Sequence, residues 1–360
     1  MKILYAIQGT GNGHLSRARD IIPILQQKAE LDILVSGIQA DVDLPYPVKY
    51  RFKGLSFIFG KTGGVDVLAT IKRSNIPNLI REIKNVPVQE YDLVINDFEP
   101  VSAWACKLKG VKCLGLSHQA AVINYKSPKP AHTDLLGQLI LHHYAPVKKA
   151  YGFHFKSYNH NIYTPVIRSQ VREAVPTVED YYTVYLPAYD DAHTIKVLSK
   201  INNCKWQVFS KHSKEEYVNE NVQIKPVTND AFIESLIHCK GVLCGAGFET
   251  PAEALYLKKK LLVIPMKGQY EQHCNAAALK EMEVPVLKSL HAKYVEQIKS
   301  WTKKNRIIPV RYENETEAII NNIISNHYFD KAENRDKYYY SVRKKTNTPT
   351  MGEILRQRGA

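Results

Sequence analysis

One rhythm constrains this chain more than any other feature, and it occurs twice. Short apolar runs of strand length alternate with stretches of helical spacing. In the first half the runs are 2–7, 31–36, 48–52, 93–96 and 113–116, with helical patterns at 15–27, 75–84 and 101–109. In the second half the runs are 182–186, 206–209, 222–225, 241–243 and 261–264, with helical patterns at 193–201, 230–238, 250–257 and 271–282. Such alternation predicts a parallel sheet with helices on both faces and right-handed crossovers. Residues 163–176 carry Pro165 and Pro176 without periodicity and read as a linker. The expectation is an α/β protein with two Rossmann-like domains, 1–165 and 166–330, facing each other across a cleft. Residues 331–360 form a polar, basic, tyrosine-rich tail expected to hold one helix. A chain of 360 residues is long enough for two such cores.

Charge bears on partners. The net charge is +14, and residues 1–165 hold 20 Lys+Arg against 12 Asp+Glu, whereas 166–330 are nearly balanced. The excess on the first half and the tail favours phosphates or an anionic lipid surface. Nucleic acid is disfavoured, because no aromatic-basic RNA motif is present and the charges are dispersed. No apolar run approaches the length of a membrane span, and the N-terminus lacks the pattern of a signal peptide. The six cysteines form no C-x-x-C pair, which suits a cytoplasmic protein and speaks against zinc. Asp41-Val42-Asp43 reads as surface charge, so no metal site is expected.

In a doubly wound sheet, ligands bind outside the carboxyl ends of the strands, and the chemistry-bearing motifs fall there. The first is Gln8-Gly9-Thr10-Gly11-Asn12-Gly13-His14, between the first strand and the first helix. Its glycines let backbone N–H groups face a ligand. No Lys-Ser/Thr follows, which excludes a Walker loop, and the glycine spacing is wrong for a dinucleotide fingerprint. His14 is a candidate base, or a turn-packing residue, and Ser16 and Arg17 can help hold an anionic group. Asp97 ends the run Leu93-Val94-Ile95-Asn96; it reads as a second candidate base or as a helix cap before Pro100. His118, after 113–116, is a third cleft candidate.

The second constellation is residues 244–279, CGAGFETPAEALYLKKKLLVIPMKGQYEQHCNAAAL. Gly245 and Gly247 form a turn before a helix start, where a diphosphate is favoured. Thr250 and Glu253 have capping-box spacing; the other reading of Glu253 is a carboxylate for ribose hydroxyls. In the following loop, Gln269, Glu271 and Gln272 offer amide and carboxylate groups suited to sugar hydroxyls, and Lys267 suits a phosphate. Residues 131–146, AHTDLLGQLILHHYAP, followed by Lys148 and Lys149, make an apolar helix that packs inward or lies on a membrane interface.

These paired motifs resemble those of the MurG-like GT-B glycosyltransferases. GTGNGH resembles their N-terminal glycine motif, GAGFETPAEAL their donor-site turn and helix, and PMKGQYEQHCNAAAL their donor-sugar loop. The resemblance implies an inverting, metal-independent hexosyltransferase that uses a nucleotide sugar, UDP-linked, and needs no cofactor. It makes 1–165 the acceptor domain and 166–330 the donor domain. Glu253 then holds the ribose, Gly245, Gly247 and Thr250 lie by the diphosphate, and Glu271 and Gln272 contact the donor sugar. Gly11, Gly13 and His14 face the cleft from the acceptor side. The acceptor is a sugar or a lipid-linked sugar, reached at an anionic membrane from the cytoplasmic face. The extra asparagine of GTGNGH and the acidic Glu249 depart from the pattern and indicate a sister family. Two alternatives stay open: a nucleotide-sugar epimerase of the same fold, and a non-enzymatic binder of nucleic acid.

Overall fold

The computed structural model describes residues 1–37, 44–55, 75–132 and 134–327. Asp41 to Asp43 and the tail at 331–360 lie outside the described residues. Met1–Asn314 form one compact unit and Glu315–Ala360 a second, of which 316–327 are helical.

Within the first unit, seven strands make the first sheet: β1 (Lys2–Gln8), β2 (Glu30–Ser36), β3 (Tyr50–Phe52), β4 (Leu93–Asp97), β5 (Cys113–Ser117), β6 (Lys149–Phe153) and β7 (Ile162–Tyr163). Their order is β3-β2-β1-β4-β5-β6-β7, and every pairing is parallel. The helices are α1 (Asn12–Lys28), α2 (Ile76–Asn85), α3 (Pro100–Lys109), α4 (His118–Ile123) and α5 (Leu135–His143). The core of this half packs Leu4, Ala6, Leu34 and Val94 against Val101, Ala105 and Cys106 of α3. On α1 the buried residues Leu15, Ala18, Ile22 and Leu25 recur at helical spacing, which fixes the helix face turned to the sheet.

The second half has six strands: β8 (Tyr181–Tyr185), β9 (Lys205–Ser210), β10 (Tyr217–Asn219), β11 (Val222–Pro226), β12 (Gly241–Gly245) and β13 (Lys260–Ile264). Their order is β10-β11-β9-β8-β12-β13, parallel except for the β10–β11 hairpin. The helices are α6 (Ser169–Arg172), α7 (Asp191–Leu198), α8 (Asn229–His238), α9 (Glu249–Tyr256), α10 (Tyr270–Glu281) and α11 (Val295–Lys303). Tyr182 packs against Trp206 and Trp301 in its core, with tilted rings whose centroids lie 5.3 and 5.1 Å away.

Both expected parallel sheets are present, each with a switch point where the strand order reverses: between β1 and β4, and between β8 and β12. β6, β7 and β10 were not expected. Their sequences are short, and β6 carries an internal glycine, so period-2 patterning is lost. The capping box at Thr250 is corrected. The helix starts one residue earlier, Phe248 occupies the cap position, and no side chain caps it.

Candidate functional site

The first switch point builds a charged cluster. After β1 the chain turns through Gly11, whose φ of 93° is a left-handed conformation that favours glycine, and enters α1. That turn carries His14 and Arg17 over the end of β4, where Asp97 pairs in register with Ile7. His14 Nδ1 lies 2.8 Å from Asp97 Oδ1. Arg17 Nη2 donates to both Asp97 oxygens at 2.8 Å, and Nη1 donates to Glu249 at the start of α9. A Cβ at Gly13 would sit 2.5 Å from the Glu249 carboxylate, so a larger residue here would displace that side chain from its place against Arg17.

Burial would raise the Asp97 carboxyl, but Arg17 and then His14 outweigh it and hold it below the usual carboxylate range. Asp97 is therefore a carboxylate that can only accept, so His14 Nδ1 carries the proton of their bond. Burial would likewise lower Arg17, but Asp97 and Glu249 raise it above its ordinary value. The helix-cap reading of Asp97 does not apply. Glu99 caps α3, accepting from Val101 N and Ser102 N at 2.7 Å each. Between them Phe98 adopts φ 55° and stacks on Tyr144 with centroids 4.8 Å apart, so the backbone strain that turns Asp97 toward α1 is held by packing.

A cavity of about 380 Å³ opens above this cluster. Gly11, Gly13, His14, Ser16, Arg17 and His118 line it from the first half; Gly247, Thr250, Gln269, Glu271 and Gln272 line it from the second. His118 is buried with both ring nitrogens engaged, Nδ1 at 2.8 Å from Phe153 O and Nε2 at 2.8 Å from Asn275 Oδ1. Its ring stacks on Phe248 at 3.9 Å. Burial pulls its pKa down, against the opposing pull of Glu271. Gln119, which sequence reasoning missed, lies between the halves. Its Nε2 donates to Glu271 Oε2 at 2.9 Å and lies 3.4 Å from His14 Nε2.

A second cavity, also about 380 Å³, lies at the ends of β8, β12 and β13. Gly245 and Lys267 line it, together with Tyr189, His193 and Leu290, which no motif marked. Gly247, Thr250 and Gln272 line both cavities and form their shared wall. Glu253 lines neither. It is buried, and Arg168, a wall residue of the first cavity, donates to both of its oxygens at 2.5 Å. Among the described residues no cluster of three or more His, Cys, Asp or Glu is placed to hold a metal. No described helix is long and apolar enough to cross a membrane. The α5 leucines divide. Leu141 is buried against Val122 and Tyr270, while Leu135, Leu136 and Leu139 are 74%, 51% and 56% exposed.

A family model described as glycosyl transferase family 1 matches residues 1–304. No curated protein matches the sequence. Among solved structures, similarity extends to Phytolacca americana UGT2, solved with UDP-2fluoro-glucose and pterostilbene, with a TM-score of 0.55 at 11% identity over 90% of this chain and 98% of that one. It extends also to the glycosyltransferase SnogD from Streptomyces nogalater (TM-score 0.51, 10% identity, 91% and 99% covered). MurG of Acinetobacter baumannii gives a TM-score of 0.50 at 12% identity, with 89% and 93% covered. At such identities the likeness shows the fold, two Rossmann-like domains of the GT-B type.

Proposed function

The chain belongs to glycosyl transferase family 1, and from that premise we propose that it is an inverting, metal-independent hexosyltransferase using a UDP-sugar and a hydroxyl acceptor. The observation that carries this reading is the His14–Asp97 pair, with His14 in the lining of a cavity walled by both halves. Transfer with inversion needs one base on the acceptor side and stabilisation of the departing diphosphate on the other. His14 Nε2 takes the acceptor hydroxyl proton while that oxygen bonds to the anomeric carbon. The bond from that carbon to the diphosphate breaks, and its electron pair leaves with the phosphate. Asp97 stabilises the imidazolium that forms.

The nucleoside fits the second cavity, beside Tyr189 and Leu290. The diphosphate then lies at the shared wall of Gly247 and Thr250, against the start of α9, with Gly245 beneath and Lys267 at the rim. The donor sugar extends into the first cavity toward Gln269, Glu271 and Gln272. For Glu253 to hold the ribose, Arg168 must release one of its oxygens on donor binding. A MurG-like, lipid-linked acceptor accounts for the exposed leucines of α5, because Leu136 belongs at once to the cavity wall and to the apolar surface. With Lys148 and Lys149 following, that surface suits peripheral contact with an anionic membrane on its cytoplasmic face.

Thermal shift with UDP, GDP, TDP, ADP and their sugar conjugates tests the donor assignment. A ligand at ~100 times its Kd that binds only the folded form stabilises by about 2.7 kcal/mol. UDP and one UDP-sugar are expected to raise the Tm of wild type and to lose that effect in Glu253→Ala. No shift with any nucleotide sinks the transferase reading.

A further inference from the structure

Both ring nitrogens of His118 face atoms that accept hydrogen bonds and have no proton to give. Nδ1 lies 2.8 Å from Phe153 O, at the end of β6, and Nε2 lies 2.8 Å from Asn275 Oδ1, on α10 of the other half. The Asn275 amide is fixed in that orientation, because its Nδ2 donates to Ala246 O at 3.1 Å and a flip would set oxygen against oxygen. Neutral imidazole carries one N–H, and imidazolium carries two. A neutral His118 therefore leaves one nitrogen lone pair against an oxygen lone pair in the interior, where an unmade hydrogen bond is costly. The charged ring satisfies both contacts.

The groups around the ring pull in opposite directions. Glu271, on α10, brings Oε1 to 3.9 Å from Nε2 and favours the cation. Phe248, at the cap of α9, lies parallel to the ring at 3.9 Å, and an aromatic face attracts a cation. Burial is the largest influence and opposes the cation, as does Arg17 on α1. His154, after β6, stands edge-on at 5.2 Å and is itself kept neutral by burial. Burial prevails in the free protein, yet both acceptors of the charged form are already in place.

Resting on the transferase reading above, we propose that His118 takes up a proton from solvent when the donor diphosphate binds, and so supplies the positive charge that the diphosphate wall lacks. That wall, Gly247, Thr250 and Gln272, has no charged side chain, and Gly247 directly precedes Phe248. A diphosphate there brings negative charge close to the ring in a place shielded from water, which raises the basicity of a neighbouring histidine. The proton arrives through the first cavity, which His118 lines. It stays on the ring through the transfer. When the nucleotide leaves, burial again favours the neutral form and the proton returns to solvent. His118 is thus a positioning residue. Its two donated bonds tie α10 to the first half while the donor is bound, and its charge acts on the leaving group through the field, without contact.

The test is isothermal titration calorimetry of the full chain with UDP, in buffers of different ionisation enthalpy, where the dependence of the heat on the buffer counts protons. At about pH 7.5 the terminal phosphate of UDP, a monoester whose second pKa is about 6, is already ionised. Wild type is expected to take up about half a proton or more per UDP bound, and so to bind UDP about threefold more tightly at pH ~7 than at pH ~8. His118→Gln, which cannot be charged, and Asn275→Leu, which removes one acceptor, are each expected to lose that uptake and flatten the pH dependence. A merely structural role would change the affinity alike at every pH. No uptake by wild type, or uptake unchanged in a variant that still binds UDP, overturns the inference. If neither variant folds, wild type labelled with nitrogen-15 at histidine decides. One imidazole gaining a second N–H on addition of UDP supports the inference, and none gaining it overturns it. UDP binding without proton uptake removes this inference alone; no UDP binding removes the transferase reading with it.

Discussion

The two switch points share one topology and carry opposite chemistry. At the ends of β1 and β4 the chain places a histidine and an arginine in direct contact with one carboxylate, and the arginine also reaches Glu249. At the ends of β8 and β12 it places glycines, a hydroxyl and amides, and the wall it shares with the first cavity, at Gly247, Thr250 and Gln272, has no charged side chain. The first arrangement suits proton transfer in a buried place. The second, at a helix start, suits an anion. On the function proposed above, the duplicated architecture assigns a base to one side and a leaving-group site to the other. The Arg17–Glu249 pair is the electrostatic link between them.

That division can be broken from either side. The largest expected effect is on rate. Asp97→Asn should lower transfer by about 10²- to 10⁴-fold, because His14 loses the group that fixes its tautomer and stabilises its cation. The UDP-induced Tm shift should persist, since no nucleotide group meets Asp97. Gly247→Glu should do the reverse to binding. Nothing lies within 4 Å of a Cβ at Gly247, so the fold tolerates the side chain, but the new charge faces the diphosphate and the shift should vanish. If both variants lose rate and nucleotide binding together, the two walls are not separable.

Stability is the next readout. Arg17→Met should cost about 3–5 kcal/mol in denaturant unfolding, because it leaves the buried Asp97 charge with His14 in place of a bidentate arginine. Adding Asp97→Leu should recover part of that loss; a double variant as unstable as the sum of the two single changes would show that Arg17 acts through packing alone. The smallest effect is on pH dependence. Burial pulls His118 and His154 below their ordinary pKa in the folded state. A group with a depressed folded pKa gives its full stability above its unfolded pKa, about 6.5 for histidine. It loses that stability as the pH falls through the folded value. Thermal melts should therefore show stability falling below about pH 6.5, well before the carboxylates titrate near 4. His118→Asn should flatten that part of the curve. An unchanged slope would assign the acid sensitivity elsewhere.

Particular residues show where the sequence is legible and where it is not. The alternation of apolar runs and helical patterns was enough for both parallel sheets, because strand and helix periods are local properties of the chain. The glycine turns were equally plain, since a turn between strand and helix leaves a compositional mark. The pairing of His14 with Asp97 was invisible, although both residues stood out separately. They are 83 residues apart and meet only because β1 and β4 are neighbours in the sheet. Glu253 was conspicuous for its spacing, yet its partner Arg168 lies 85 residues upstream in a stretch without periodicity. Gln119 bore no signal of its own, and its partner Glu271 lies 152 residues away. An amide is chemically ordinary until its neighbours decide which of its two arms is free.

By itself, then, the sequence determined most of the strands of both sheets, the doubling of the architecture and the glycine turns between strand and helix, all set by interactions within a few residues. The tertiary structure alone decided that His14 and Arg17 meet Asp97, which carboxylates are already held by arginine, and that Gln119 bridges to Glu271. Those outcomes depend on contacts between distant segments, whose strength is set by burial and by the competition of several partners for one group.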